Sequence, residues 1–326
     1  MMPRTTCAVA LTTLGTALAA GCGSEGNGAA PAGAKLTVTA TTTTTQLGAL
    51  VRQVGGDRVD VQQILEPNAD PHAYDPRPSD AQSLADADVV FQSGGDLDEF
   101  LGDLIENSGS EAPVVKAIDF VETIEGEEHG REEEGGEHAD EDDPHWWQDP
   151  RNAARVVPAI RDALIDADPD GRQAYERNAA AYTAKLERLD AATARCIARI
   201  PAVDRKLITT HDALGPYADR YGLEVIGALI PSRSTQAQPS SKDIGALVAQ
   251  IDDLGVKAIF PESSVNPKLE EAVARETGAE VGEALWADTL GPEGSGGATY
   301  IESIESHTEA IVAGLTGGAV RCRPDA

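Results

Sequence analysis

Short apolar runs alternate with amphipathic stretches along most of this chain. Residues 35–40 (Lys-Leu-Thr-Val-Thr-Ala) and 59–65 have the β-branched character of strands. The threonine run 41–45 either extends the first strand or caps a helix over 47–55. A helix over 79–87 with Ser79 as its cap, a buried strand at 89–92, a helix at 97–107 and a strand at 114–117 follow. Strands and helices taking turns in this way predict an α/β unit with a mainly parallel sheet. After a helix at 152–166, Tyr175, Ala179, Tyr182, Leu186, Leu189, Thr193, Cys196 and Ile200 recur at spacings of three and four, with no Gly or Pro between Arg172 and Ile200. At ~1.5 Å per residue a helix over 169–200 would run more than about 40 Å. That is too long for an ordinary crossover and suits a strut between two lobes. The alternation then restarts, with strands at 206–210, 224–229, 256–260 and 279–284 and helices at 213–221, 240–253, 266–277 and 299–315. The expected organisation is α/β in two lobes, 35–167 and 201–326, joined by a single long helix within 168–200, with a site in the cleft between them.

One stretch breaks the pattern. Residues 122–143 hold twelve acids against one arginine, four glycines, and His129 and His138. Such a segment cannot bury a core and reads as a solvated loop. It supplies about −11 of the formal net charge of −29, so the body is acidic as well. That balance argues against nucleic acid and against electrostatic docking on anionic lipid, and it suits a protein that gathers cations. At the other end, Arg4, an apolar run over 7–20 and Leu18-Ala19-Ala20-Gly21-Cys22 resemble a bacterial lipoprotein signal, with the leucine one place earlier than usual. On that reading residues 1–21 are removed, Cys22 carries lipid, and 22–34, rich in Gly, Ala, Ser, Asn and Pro, form a flexible tether. An ordinary signal peptide with an incidental cysteine is the alternative. The four cysteines include no Cys-x-x-Cys pair, which argues against a thiolate cluster. Export permits disulfides, and with Cys7 removed and Cys22 acylated the remaining pair is Cys196 and Cys322. Two buried free thiols are the other reading.

Three of the six histidines sit where strands end or helices begin. They are His72 in Asp70-Pro71-His72-Ala73-Tyr74, His145 in Asp143-Pro144-His145-Trp146-Trp147, and His211 in Thr209-Thr210-His211-Asp212. Proline stiffens the first two loops. Asp288, in Leu285-Trp286-Ala287-Asp288-Thr289, adds a carboxylate. Three imidazoles and one carboxylate form a donor set for a divalent transition metal; unrelated loop residues are the alternative reading. Asp149, Asp212 and Glu262 are candidates to orient the imidazoles from behind, with a surface acid at a strand end the other reading of Glu262. Trp146, Trp147 and Trp286 either exclude water there or simply pack. His129 and His138 have no fixed-site spacing; they could collect the metal weakly beside His145, or belong to an insertion without a role.

These segments, in order, resemble the zinc/manganese solute-binding proteins of bacterial ABC transporters. The resemblance runs from about residue 35 to 314 and rests on Pro71-His72-Ala73-Tyr74 with Arg77-Pro78-Ser79-Asp80, residues 143–150, residues 209–223, Phe260-Pro261-Glu262-Ser263-Ser264-Val265-Asn266, and Trp286-Ala287-Asp288-Thr289-Leu290-Gly291. It implies two lobes linked by one long helix and a carrier rather than an enzyme. It also implies the ligand set His72, His145, His211 and Asp288, a membrane permease as partner, a monomer, and a lipid anchor on the outer face of the cytoplasmic membrane. A zinc-donating partner for the acidic loop is a further expectation. Manganese members typically have Glu at the third ligand position, so His211 leans towards Zn2+, with Mn2+ the alternative cargo. An exported zinc hydrolase is the rival class, but no His-Glu-x-x-His is present and four protein ligands would close the coordination shell.

Overall fold

The threonine run serves both elements it was expected to serve. Thr41 and Thr42 end strand β1 (Val38–Thr42), and the Thr44 hydroxyl caps helix α1 (Thr45–Gly55) by accepting the Leu47 N–H. Leu47, Leu50, Val51 and Val54 share the buried face of α1. The computed structural model describes residues 38–123 and 143–325. The leader, the tether with Cys22, and His129 and His138 lie outside the described residues.

β2 (Val59–Gln63), helix α2 (Pro78–Ala85), β3 (Val89–Gln92), α3 (Phe100–Ser108) and β4 (Val114–Lys116) complete the first half. The sheet order is β2-β1-β3-β4 and every ladder is parallel. Helix α2 starts one residue earlier than expected because Pro78 occupies its first turn. Ser79 is therefore inside the helix, and the cap interaction is made by the Asp80 carboxylate, which accepts the Arg77 N–H at 2.6 Å.

Helix α4 (Pro150–Ala167) leads into α5 (Arg172–Ile197), which a 3-10 turn at Pro169–Gly171 precedes. The long helix is thus shorter than 169–200, but its three-and-four face is buried as expected, from Tyr175 and Ala179 to Thr193 and Cys196. β5 (Lys206–His211), α6 (Gly215–Tyr221), β6 (Glu224–Ile230), α7 (Ser241–Leu254), β7 (Ala258–Ile259), α8 (Lys268–Thr277), β8 (Glu280–Val281) and α9 (Tyr300–Leu315) form the second half. β5 pairs with β6 and β7 with β8, both parallel, and a parallel bridge from Thr209 to Phe260 sets β7 beside β5. The order β6-β5-β7-β8 repeats that of the first sheet. β7 is shorter than the run 256–260, with Phe260 continuing as the bridge to Thr209.

Helix α5 packs on α1 and α4 in the first half and on α6 and α9 in the second. One apolar core runs through it, from Val38, Leu47 and Trp147 to Leu207, Tyr217, Phe260 and Leu315. Each half adds a small core of its own, around Leu84 and Leu101 in the first and Leu247 and Ile259 in the second. No helix among the described residues is long and apolar enough to cross a membrane.

Cys196, buried near the end of α5, is bonded to Cys322. The bridge closes a loop 126 residues apart in sequence. In the chain-entropy model such a closure is worth about 4–5 kcal/mol. Replacing both cysteines with alanine should lower the denaturant midpoint of unfolding, and reductant should then have no further effect. An unchanged midpoint would show that the bridge contributes nothing.

Candidate metal centre

Each candidate ligand leaves the carboxyl end of a strand or the loop beyond it. His72 lies in the 3-10 turn Pro71–Ala73 after β2, and His145 opens the 3-10 turn Trp146–Gln148 before α4. His211 is the last residue of β5, and Asp288 follows β8. The two Asp-Pro-His tripeptides fold alike. Asp70 accepts the His72 N–H at 3.0 Å, and Asp143 accepts the His145 N–H at 2.9 Å. The remaining acceptors differ. Asp143 Oδ1 also meets His145 Nδ1 at 2.8 Å, whereas Asp70 Oδ2 takes the Thr235 hydroxyl from the second half at 2.7 Å.

The four candidates converge, with one donor atom of each lying within 4.8 Å of all the others. Asp288 Oδ2 is 3.4 Å from His72 Nε2 and 3.2 Å from His211 Nε2, and its Oδ1 is 3.4 Å from His145 Nε2. His145, His211 and Asp288 are fully buried, while His72 keeps a partly open edge. All three Nε2 atoms and both Asp288 oxygens are shielded from solvent without a hydrogen-bond partner. Buried polar atoms are rarely left so, and five aimed at one point match the donor set of a cation.

Behind the ligands, carboxylates fix two imidazoles. Glu262 touches His211 Nδ1 with both oxygens at 2.8 Å and accepts the His211 N–H at 3.0 Å. Asp143 does the same service for His145. A proton on Nδ1 is thereby met by a carboxylate in both rings, and Nε2 faces inward. Glu262 is where the sequence reading put it, whereas Asp149 is not. Asp149 instead caps α4, accepting the Arg151 N–H at 2.8 Å, and forms a two-pronged ion pair with the Arg151 guanidinium. An aspartate just before a proline at a helix start is a cap, which outweighs its closeness in sequence to His145. Asp212 gives its N–H to the Ser232 carbonyl at 3.0 Å, and the His211 Nδ1 is held by Glu262. The missed residue is Asp143. Its signal was the repeated Asp-Pro-His tripeptide.

Main-chain groups around Asp288 are held by the first half. The Ala287 carbonyl accepts from Gln148 Nε2 at 2.7 Å and Trp147 Nε1 at 2.9 Å, and the Leu290 N–H reaches the Thr45 hydroxyl at 2.8 Å. Trp147 also stacks edge-on to His145, with ring centres 5.5 Å apart, so it both packs and walls the site. Trp146 donates to Ser93 at 3.0 Å, away from the ligands.

Burial alone would lower the His211 basicity, but the Asp288 and Glu262 carboxylates outweigh it and hold the imidazolium well above the ordinary 6.5. Burial alone would raise Asp288, but the facing imidazoles, His211 first, hold it well below 3.8. The attraction between His211 and Asp288 thus favours the charged form of each. Its contribution to stability is present while Asp288 is ionised and His211 protonated. It fades as pH falls through the depressed Asp288 value or rises through the elevated His211 value.

The sequence profile of the family described as zinc-uptake complex component A, periplasmic, matches residues 40–314. The manganese-binding lipoprotein MntA of Halalkalibacterium halodurans is 31% identical over 299 residues, which is 92% of this chain and 95% of that one. The manganese ABC transporter substrate-binding lipoprotein PsaA of Streptococcus pneumoniae is 26% identical over 277 residues, 82% and 86% of the two chains. Among solved structures, the periplasmic zinc-binding protein TroA from Treponema pallidum superposes with a TM-score of 0.76 at 27% identity, covering 86% of this chain and 99% of that one.

Two outcomes follow from this geometry. Asp143→Asn and Glu262→Gln should each weaken divalent metal binding roughly 10–100-fold, as removal of imidazole-orienting carboxylates does elsewhere, whereas Asp149→Asn should leave affinity unchanged and lower thermal stability. Because Asp288 and Glu262 favour a proton on His211, metal uptake should release protons and affinity should climb with pH above the ordinary imidazole value. Calorimetric titration in buffers of different ionisation enthalpy reads the released protons; none would contradict the ion-pair account.

Proposed function

The chain belongs to the zinc-uptake component A family of metal ABC transporter substrate-binding proteins, and we propose that its cargo is zinc. Membership makes it a carrier rather than an enzyme, which removes the hydrolase reading. In this proposal His72, His145, His211 and Asp288 hold one zinc ion between lobes spanning about residues 35–167 and 201–326. Cys22 tethers the protein by lipid to the outer face of the cytoplasmic membrane, and a permease receives the ion.

The observation that carries the zinc reading is the donor set. Three imidazole nitrogens and one carboxylate suit a borderline-soft ion at low coordination number. Manganese favours more oxygen donors and a higher coordination number. Protein-imposed geometry has to do the selecting, since intrinsic affinity would rank copper first. The manganese-binding names of two relatives support the second reading, in which both Asp288 oxygens coordinate and Mn2+ is the cargo.

Metal analysis of protein purified without added metal, followed by zinc–manganese competition, separates the two. We expect zinc to be retained and preferred. Replacing any one of the three histidines with alanine should weaken zinc binding by orders of magnitude, and His211→Glu, which adds a hard oxygen, should narrow the preference over manganese. A wild type that prefers manganese would overturn the zinc assignment and leave the carrier role standing. Unchanged affinity in two of the alanine variants would remove the site itself.

A further inference from the structure

Helix α9 presents its buried face through Tyr300, Ser303, Ile304, His307, Thr308, Ile311 and Leu315. The residues of this face are apolar, hydroxylic or aromatic except for one imidazole. A leucine would satisfy the helical pattern at 307 and leave no polar atom to satisfy. His307 instead is 1% exposed, and its Nδ1 has no hydrogen-bond partner. Its Nε2 accepts the Trp286 backbone N–H at 2.6 Å. That acceptor role requires the tautomer with the proton on Nδ1, so a buried N–H is left unsatisfied to keep this one bond. Burial holds the His307 basicity down to about 3, so the ring stays neutral and remains an acceptor.

Trp286 is two residues before Asp288, and its indole is boxed as firmly as its backbone. A Cβ on Gly297 would stand 2.4 Å from the indole, and one on Gly291 would stand 2.7 Å from it. The Gly291 N–H closes this box by donating to the Gly297 carbonyl at 2.9 Å. Beyond Asp288, the Leu290 N–H is held by Thr45 of the first half. The carboxylate therefore hangs on a short span with one end fixed from α1 and the other from α9.

We propose that His307 is a positioning residue for the metal carrier: by taking the Trp286 N–H it sets the register of the 286–288 span and so the reach of the Asp288 carboxylate into the ligand set. This deepens the metal-site reading above and rests on it. His307 does not touch the metal or the other three ligands; it acts through the main chain.

The test uses the metal-depleted protein with cobalt(II) as the probe, since its visible bands report coordination geometry, and zinc affinity by competition. His307→Leu removes the acceptor while keeping the bulk apolar. His307→Gln returns an acceptor oxygen near the position of Nε2. We expect His307→Leu to weaken binding roughly 10–100-fold, the range found for groups that orient metal ligands, and to alter the cobalt bands, with His307→Gln recovering both. Wild-type affinity and bands in a folded His307→Leu protein would overturn the proposal, as would equal losses in the leucine and glutamine variants, which would mean packing alone. If His307→Leu does not fold, Gly297→Ala decides, because it pushes on Trp286 while leaving His307 in place; unchanged bands there overturn the idea. Asp288→Ala and His72→Ala run alongside. If these too bind as wild type, the metal site is wrong; if only they lose binding, the site stands and the role of His307 falls.

Discussion

Asp288 is a fully buried carboxylate with both oxygens directed at imidazole edges, and a charge so placed needs a positive partner. Taking an ion out of water costs several kcal/mol unless another charge answers it. Asp288 in front and Glu262 behind both favour a proton on His211 as that answer. A divalent cation replaces that proton. The rest of the architecture keeps this exchange local. Main-chain hydrogen bonds from Thr45, Trp147 and Gln148 fix the segment around Asp288, so neutralisation is met by the ligands already present and not by a rearranged loop.

Much of this was legible in the residues. The parallel alternation, the buried face of α5 and the four converging side chains all follow from patterns that local physics enforces: period, proline-stiffened turns, and histidines at strand ends. What was misread lay in competition between two local uses of one residue type. Asp149 and Asp143 are both aspartates beside a proline and near His145. Helix capping claims the first because a helix begins at the next residue. Asp143 stays free to reach the imidazole because it lies two residues before the histidine, as Asp70 lies before His72. His307 could not be read at all. Helical spacing places it in the core, and the meaning of that position comes from a backbone N–H more than twenty residues away in sequence.

Identity with relatives does not decide the cargo. A chain 31% identical carries manganese in its name, and one 27% identical in sequence carries zinc. In a scaffold of this kind the fold fixes where donors stand, and the kind of atom at each station sets the preference. Replacing a single imidazole by a carboxylate changes hardness, charge and available coordination number together. Selectivity in such a frame is therefore a property of few atoms, easily altered without disturbing the fold.

The core that passes through α5 has a mechanical consequence. The two sheets have small cores of their own, but most of the buried apolar surface of either half is shared with the other through that one helix. Wide hinge opening would bare this surface to water with nothing to replace it. Displacement of one half against the other is then resisted by close packing throughout. The same continuity makes the halves poor candidates for separate unfolding. A perturbation that melts one should take the other with it, so that the molecule behaves as a single cooperative unit built from two repeated strand orders.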